Sequence, residues 1–85
     1  MLKTSKPKPY KPTAVDQIIS VKDNTLRPLL HMGELACVRG GLAGEPGDIV
    51  ACRAPDGKAI LVQFENTFGM PIVGVVVGLM DALAN

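Results

Sequence analysis

Eighty-five residues, a net charge of +1 and an apolar fraction of 47% fit one small globular domain and leave no room for a separate DNA-reading head beside it. The near-neutral balance argues against a nucleic-acid surface spread over the whole body. With no run near 18 apolar residues and no apolar stretch behind the first lysines, neither a membrane helix nor a signal peptide is expected, and the expected compartment is cytoplasmic.

The chain opens on Lys3, Lys6, Lys8 and Lys11 interleaved with Pro7, Pro9 and Pro12. Proline fixes φ and removes donors, so residues 1–13 read as an extended, flexible, solvated arm. Its four lysines are also the only candidate nucleic-acid contacts, through phosphates. Residues 14–85 read as the folded body. A first strand is expected over 14–21, where Val15, Ile18, Ile19 and Val21 alternate imperfectly. Residues 22–28 are a polar connection ending in Pro28, and Leu29 to Met32 suit one helical turn before Gly33.

A strand over 34–39, a glycine loop over 40–44 and a tight Glu45-Pro46-Gly47-Asp48 turn lead into a strand over 49–53. Pro55-Asp56-Gly57 is the strongest hairpin signal and joins that strand to one over 59–64. Another loop covers 66–69. Residues 72–80 are almost continuously apolar, and only 79–83 hint at helical spacing. Short strands separated by turn chemistry imply an all-β fold, a small sandwich or partly open barrel of hairpins.

The last strand stands apart. Ile72, Val73, Val75, Val76, Val77 and Leu79 give it apolar character on both faces, which requires cover on both. A domain of this size has little chain to spare, so a second subunit is the expected cover, making these six residues the candidate dimerisation set and a homodimer the expected partner. Cys37 and Cys52 lie in apolar segments and are expected as reduced, buried thiols. His31 is the only histidine and has no ligand partner at metal spacing, so it reads as a surface or cap residue; no metal and no cofactor are expected.

The order Arg27-Pro28-Leu29-Leu30-His31-Met32-Gly33-Glu34-Leu35, then Gly47-Asp48-Ile49-Val50, then Asp56-Gly57-Lys58-Ala59-Ile60-Leu61-Val62, then Gly74-Val75-Val76-Val77 resembles the C-terminal β domain of LexA-type repressors and their self-cleaving relatives, a signal-peptidase-like β fold. The resemblance spans about residues 15–78 and implies a Ser-Lys peptidase framework, in which a serine in an Asp-Ser-Met turn is activated by a neutral lysine on a later strand. The matching positions here are Thr25, within Asn24-Thr25-Leu26, and Val62. A valine accepts no proton, and loss of a general base forfeits about 10²–10⁴ in rate.

Lys58 precedes Val62 by four residues, roughly 13 Å along a strand, too far to substitute. The bond that such relatives cleave lies in a loop well upstream of the serine, and no counterpart of it is found: Ala43-Gly44 lies downstream of Thr25. The resemblance therefore implies a catalytically inactive module for dimerisation or partner binding, with a full-length repressor as one such partner, in phage-related regulation of transcription. Two alternatives are a small nucleic-acid-binding β-barrel using the basic arm and a phage structural protein.

Overall fold

The computed structural model describes residues 7–81. Six strands follow in chain order: β1 Pro9–Tyr10, β2 Asp16–Ser20, β3 Leu35–Gly40, β4 Ile49–Arg53, β5 Ala59–Gln63 and β6 Ile72–Met80, with one 3₁₀ turn at Phe64–Asn66 after β5. The protein is all-β, a curled half-barrel sheet in the order β2-β3-β6-β4-β5 with β1 added to β6. All neighbours are antiparallel except β1 and β6, which run parallel. Among the described residues no helix is long and apolar enough to cross a membrane.

The Pro55-Asp56-Gly57 signal makes the hairpin it implies. Gly57 takes φ +87°, its amide donates to the Ala54 carbonyl at 2.8 Å, and the Ala54 amide donates in turn to the Lys58 carbonyl at 2.8 Å. Asp56 Oδ1 accepts from the Lys58 amide at 3.0 Å and locks the turn.

β6 is the centre of the fold. β3 pairs along one edge from Gly74 to Leu79; β4, at Ile72 to Val75, and β1, at Leu79 and Met80, share the other. The register skips one β6 residue opposite Ala51/Cys52 and another opposite Cys37/Val38, so Val73 and Val77 are extra residues in two bulges. Each bulge resets the alternation. Ile72 and Val75 therefore join Val50, Cys52, Val62, Phe64 and Met70 on one face. Val76 and Leu79 join Ile49 and Leu61 on the other, beneath Val21, Leu26, Leu29 and Leu30.

The six residues of the expected dimerisation set lie within this packing. Within the single chain Val75 is buried and Ile72, Val73, Val76, Val77 and Leu79 are half-buried. The chain supplies its own cover by folding residues 21–30 over one face, with Leu30 fully buried at its centre. Ile72 and Val75 pack on one face, Val76 and Leu79 on the other, and two bulges break the period of the run.

Part of the N-terminal arm pairs with β6. Lys3 and Lys6 lie outside the described residues, but residues 8–10 are docked. The Leu79 amide donates to the Lys8 carbonyl and the Asp81 amide to the Tyr10 carbonyl, each at 2.9 Å. Gly78 permits the approach, since a Cβ there would overlap Tyr10 Cβ and stand 2.8 Å from the Lys8 oxygen. Lys8 and Lys11 remain exposed. Of the weak helical signal at 79–83, Leu79 and Met80 belong to β6, and 82–83 lie outside the described residues. Cys37 and Cys52 are free and buried, on strands separated by β6 rather than adjacent, and burial raises both thiol pKa values.

Candidate partner-binding cleft

Beyond β2 the chain closes one more pair, Val21 N to Glu34 O at 2.8 Å and Gly33 N to Val21 O at 2.9 Å, and then leaves the sheet. The Leu26 carbonyl accepts from the Leu29 and Leu30 amides, so a short turn closes over residues 25–29 and not over Leu29 to Met32, where a helical turn is expected from the sequence. Asn24 Oδ1 accepts from the Met32 amide at 3.0 Å and ties the loop's base. His31 is exposed, and its amide donates to Glu34 Oε1 at 2.7 Å. This arrangement drives Leu30 into the core and leaves Thr25 at the surface.

Thr25 and Val62 line the same open cleft, about 390 Å³ in volume. Leu26, Leu61 and Met70 make its apolar walls, while Gln63 and Asn66 contribute amides. The Thr25 hydroxyl donates to Asp23 Oδ1 at 2.7 Å, and the Thr25 amide donates to the same oxygen at 3.0 Å. Those bonds hold the Asp23 carboxyl below its ordinary pKa, which makes it a weaker base. No lysine, histidine or carboxylate lines the cleft with Thr25, and Lys58 is not among its residues. Val62 instead packs into the Val50, Cys52 and Val75 cluster. Val62 itself accepts no proton, and the one acceptor bonded to the Thr25 hydroxyl is the Asp23 carboxylate.

Phe68 is the residue that sequence reasoning misses. It is 87% exposed and holds φ +49°, a left-handed conformation costly for a bulky side chain. It borders the Thr25 cleft and a second depression of about 420 Å³ formed with Arg53, Pro55 and Pro71. Of the three aromatic residues it is the one placed in solvent. The available signal is its position one residue before Gly69, in a loop between two strands, but composition alone reads that loop as a plain connection.

A third hollow, about 100 Å³, lies between the sheet's two edges, where Ile19 to Val21 face Ala59 to Leu61. β2 and β5 are the terminal strands of the order and do not pair with each other. The half-barrel therefore has an unclosed seam that runs into the Thr25 cleft, with Leu26 and Leu61 lining both.

Elsewhere on the sheet sits a polar latch. Arg39 Nε donates to Asp16 Oδ1 at 3.0 Å, and its Nη2 donates to the Tyr10 hydroxyl at 2.7 Å. The Asp16 side chain is covered, whereas Arg39 keeps 38% exposure. The Thr13 amide, then Arg39, Tyr10 and the Thr13 hydroxyl, hold the Asp16 carboxyl down to about 2, against the opposing effect of desolvation. Tyr10 is raised, chiefly by desolvation and then by Asp16. The latch fastens β1 across the sheet and uses its groups internally. Among the described residues no group of three or more His, Cys, Asp or Glu could hold a metal ion. Comparison of the chain with family models, with curated proteins and with solved structures returns no match.

Proposed function

We propose that the protein is a catalytically silent counterpart of the LexA-type C-terminal domain, acting as a module that binds a protein partner. A second copy or a full repressor of the same design would be such a partner, and regulation of transcription the setting. The carrying observation is that Thr25 and Val62, far apart in sequence, meet in one cleft at the two positions where the resemblance calls for nucleophile and base. The hydroxyl there is committed to Asp23 and the base position is aliphatic. The chemistry is gone while the cleft, its apolar walls and its exposed Phe68 remain.

Two preparations test this reading. The natural chain, incubated at alkaline pH, yields no fragment that disappears in Thr25→Ala; such a fragment would refute silence. The double variant Thr25→Ser with Val62→Lys places both functional groups in the cleft and becomes reactive toward a fluorophosphonate probe at alkaline pH. The single variant Thr25→Ser keeps the valine and should not label. Equal labelling of both variants would remove the paired-position argument.

A further inference from the structure

The seam between β2 and β5 specifies the shape of what fills it. In the β4–β5 ladder, Phe64 N bonds Asp48 O and Ala54 N bonds Lys58 O, so the hydrogen-bonded pairs alternate through residues 62 and 60. Ala59, Leu61 and Gln63 therefore turn their amides and carbonyls away from β4, along the sheet's open edge. Edge strands are normally guarded by lysine, proline or a bulge. β5 carries none of these between Ala59 and Gln63.

The charges sit at one end. Lys22 lines the hollow between the edges, and Lys58 immediately precedes Ala59, which lines it too. Neither lysine forms an ion pair among the described residues. Asp23, the one acid lining this hollow, is bound by the Thr25 amide and hydroxyl. The other end of the edge carries no basic side chain and meets Phe68 and Met70 at the Thr25 cleft.

Resting on the partner-binding reading above, we propose that the occupant is an extended segment of another protein that adds to the β5 edge as a strand. Alternate apolar side chains enter the hollows beside Leu26 and Leu61, and an Asp or Glu lies at the Lys22/Lys58 end. Backbone bonds to Ala59, Leu61 and Gln63 supply affinity that tolerates sequence, and the lysines and Phe68 supply register and selectivity.

Gln63 offers a clean probe of the backbone bonds. Its φ is −71° and ψ 148°, values that proline adopts, and its side chain is exposed. Gln63→Pro therefore deletes one outward donor and leaves the β4 ladder intact.

The experiment pans a random heptapeptide phage library against the full chain. Enriched peptides should alternate apolar residues and carry Asp or Glu toward one end. On the Lys22→Glu/Lys58→Glu chain, the enrichment at that end should switch to Lys or Arg. Gln63→Pro should weaken the best enriched peptide about fivefold or more at an unchanged thermal midpoint. Enrichment without acidic residues, an unchanged preference on the charge-reversed chain, or full affinity in Gln63→Pro each overturns the proposal. If peptides bind and only Thr25→Arg abolishes their binding, the partner-binding cleft stands and the edge-strand inference falls. Failure to enrich any peptide overturns both.

Discussion

Gly78→Ala isolates what the docked N-terminal strand contributes. An alanine methyl at this position would overlap Tyr10 Cβ and stand 2.8 Å from the Lys8 carbonyl oxygen, and its nearest neighbours all belong to these two residues. The substitution thus acts against β1 and should expel it from the edge of β6. The backbone hydrogen bonds Leu79 N to Lys8 O and Asp81 N to Tyr10 O, and the Arg39 Nη2 bond to the Tyr10 hydroxyl, would be lost from the fold. At about 0.5–1.5 kcal/mol each these three amount to about 1.5–4.5 kcal/mol. Each kcal/mol moves the midpoint of a domain this size by about 4–8 °C. Deleting residues 1–12 should cost a similar amount, contrary to the expectation for a solvated arm. In the shortened chain the same Gly78→Ala meets no β1 and should be neutral, or stabilising by up to about 0.5–1 kcal/mol, because alanine loses less backbone freedom on folding. Thermal and urea melts of the four chains form a double-mutant cycle. Equal effects of Gly78→Ala in both backgrounds, or a deletion that leaves the midpoint unmoved, would refute the docking argument.

The Asp16 latch predicts an acid limb in stability. Its folded pKa of about 2 lies below the ordinary carboxylate value, so its contribution is present above about pH 4 and is lost as pH falls through about 2. Asp16→Asn should flatten that limb in melts taken between those limits; an identical acid slope would count against the latch. Phe68→Asn tests whether strain is kept for binding. Asparagine tolerates the left-handed region that Phe68 holds, so the midpoint should hold or stability rise by about 1 kcal/mol while affinity for enriched peptides falls. A clear loss of stability would instead make Phe68 a packing residue.

Most of the strand pattern is legible in the sequence, because its turns carry their own instructions. Gly57 and Gly47 adopt the positive φ that Asp-Gly and Pro-Gly steps invite, and β4, β5 and β6 fall where those turns place them. The apolar run of β6 hides its bulges for a physical reason. A window of residues shows no alternation when two bulges reset its phase, and the number of faces needing cover cannot be separated from the identity of the cover. Proline-rich spacing likewise reads as solvent-exposed chain, yet Pro9 has no donor to lose and fits an edge position. Thr25 and Val62 are paired only through the resemblance, since β3 and β4 lie between them in the chain. Phe68 is illegible because exposure and positive φ are properties of the folded chain.

The valine at position 62 has a structural consequence of its own, which Val62→Lys measures. Val62 packs half-buried against Val50, Cys52 and Val75, on the face that also holds Phe64 and Met70. A lysine stem could lie along that surface, but its ammonium would be drawn into an apolar cleft whose walls offer only the Gln63 and Asn66 amides beside the committed Thr25 hydroxyl. Desolvation disfavours the charged form, so the folded pKa of the new lysine should fall below about 10.4. Each unit of depression costs about 1.4 kcal/mol of folding stability at pH values below the folded pKa. The sign follows: the penalty is full at pH 7, shrinks as pH rises through the folded pKa, and vanishes above the unfolded value. Urea melts of Val62→Lys and the natural chain should differ by about 1–3 kcal/mol at about pH 7 and converge toward about pH 10. A gap that stays constant with pH would mean that the lysine head reaches water, and that the cleft is too open to have activated such a base.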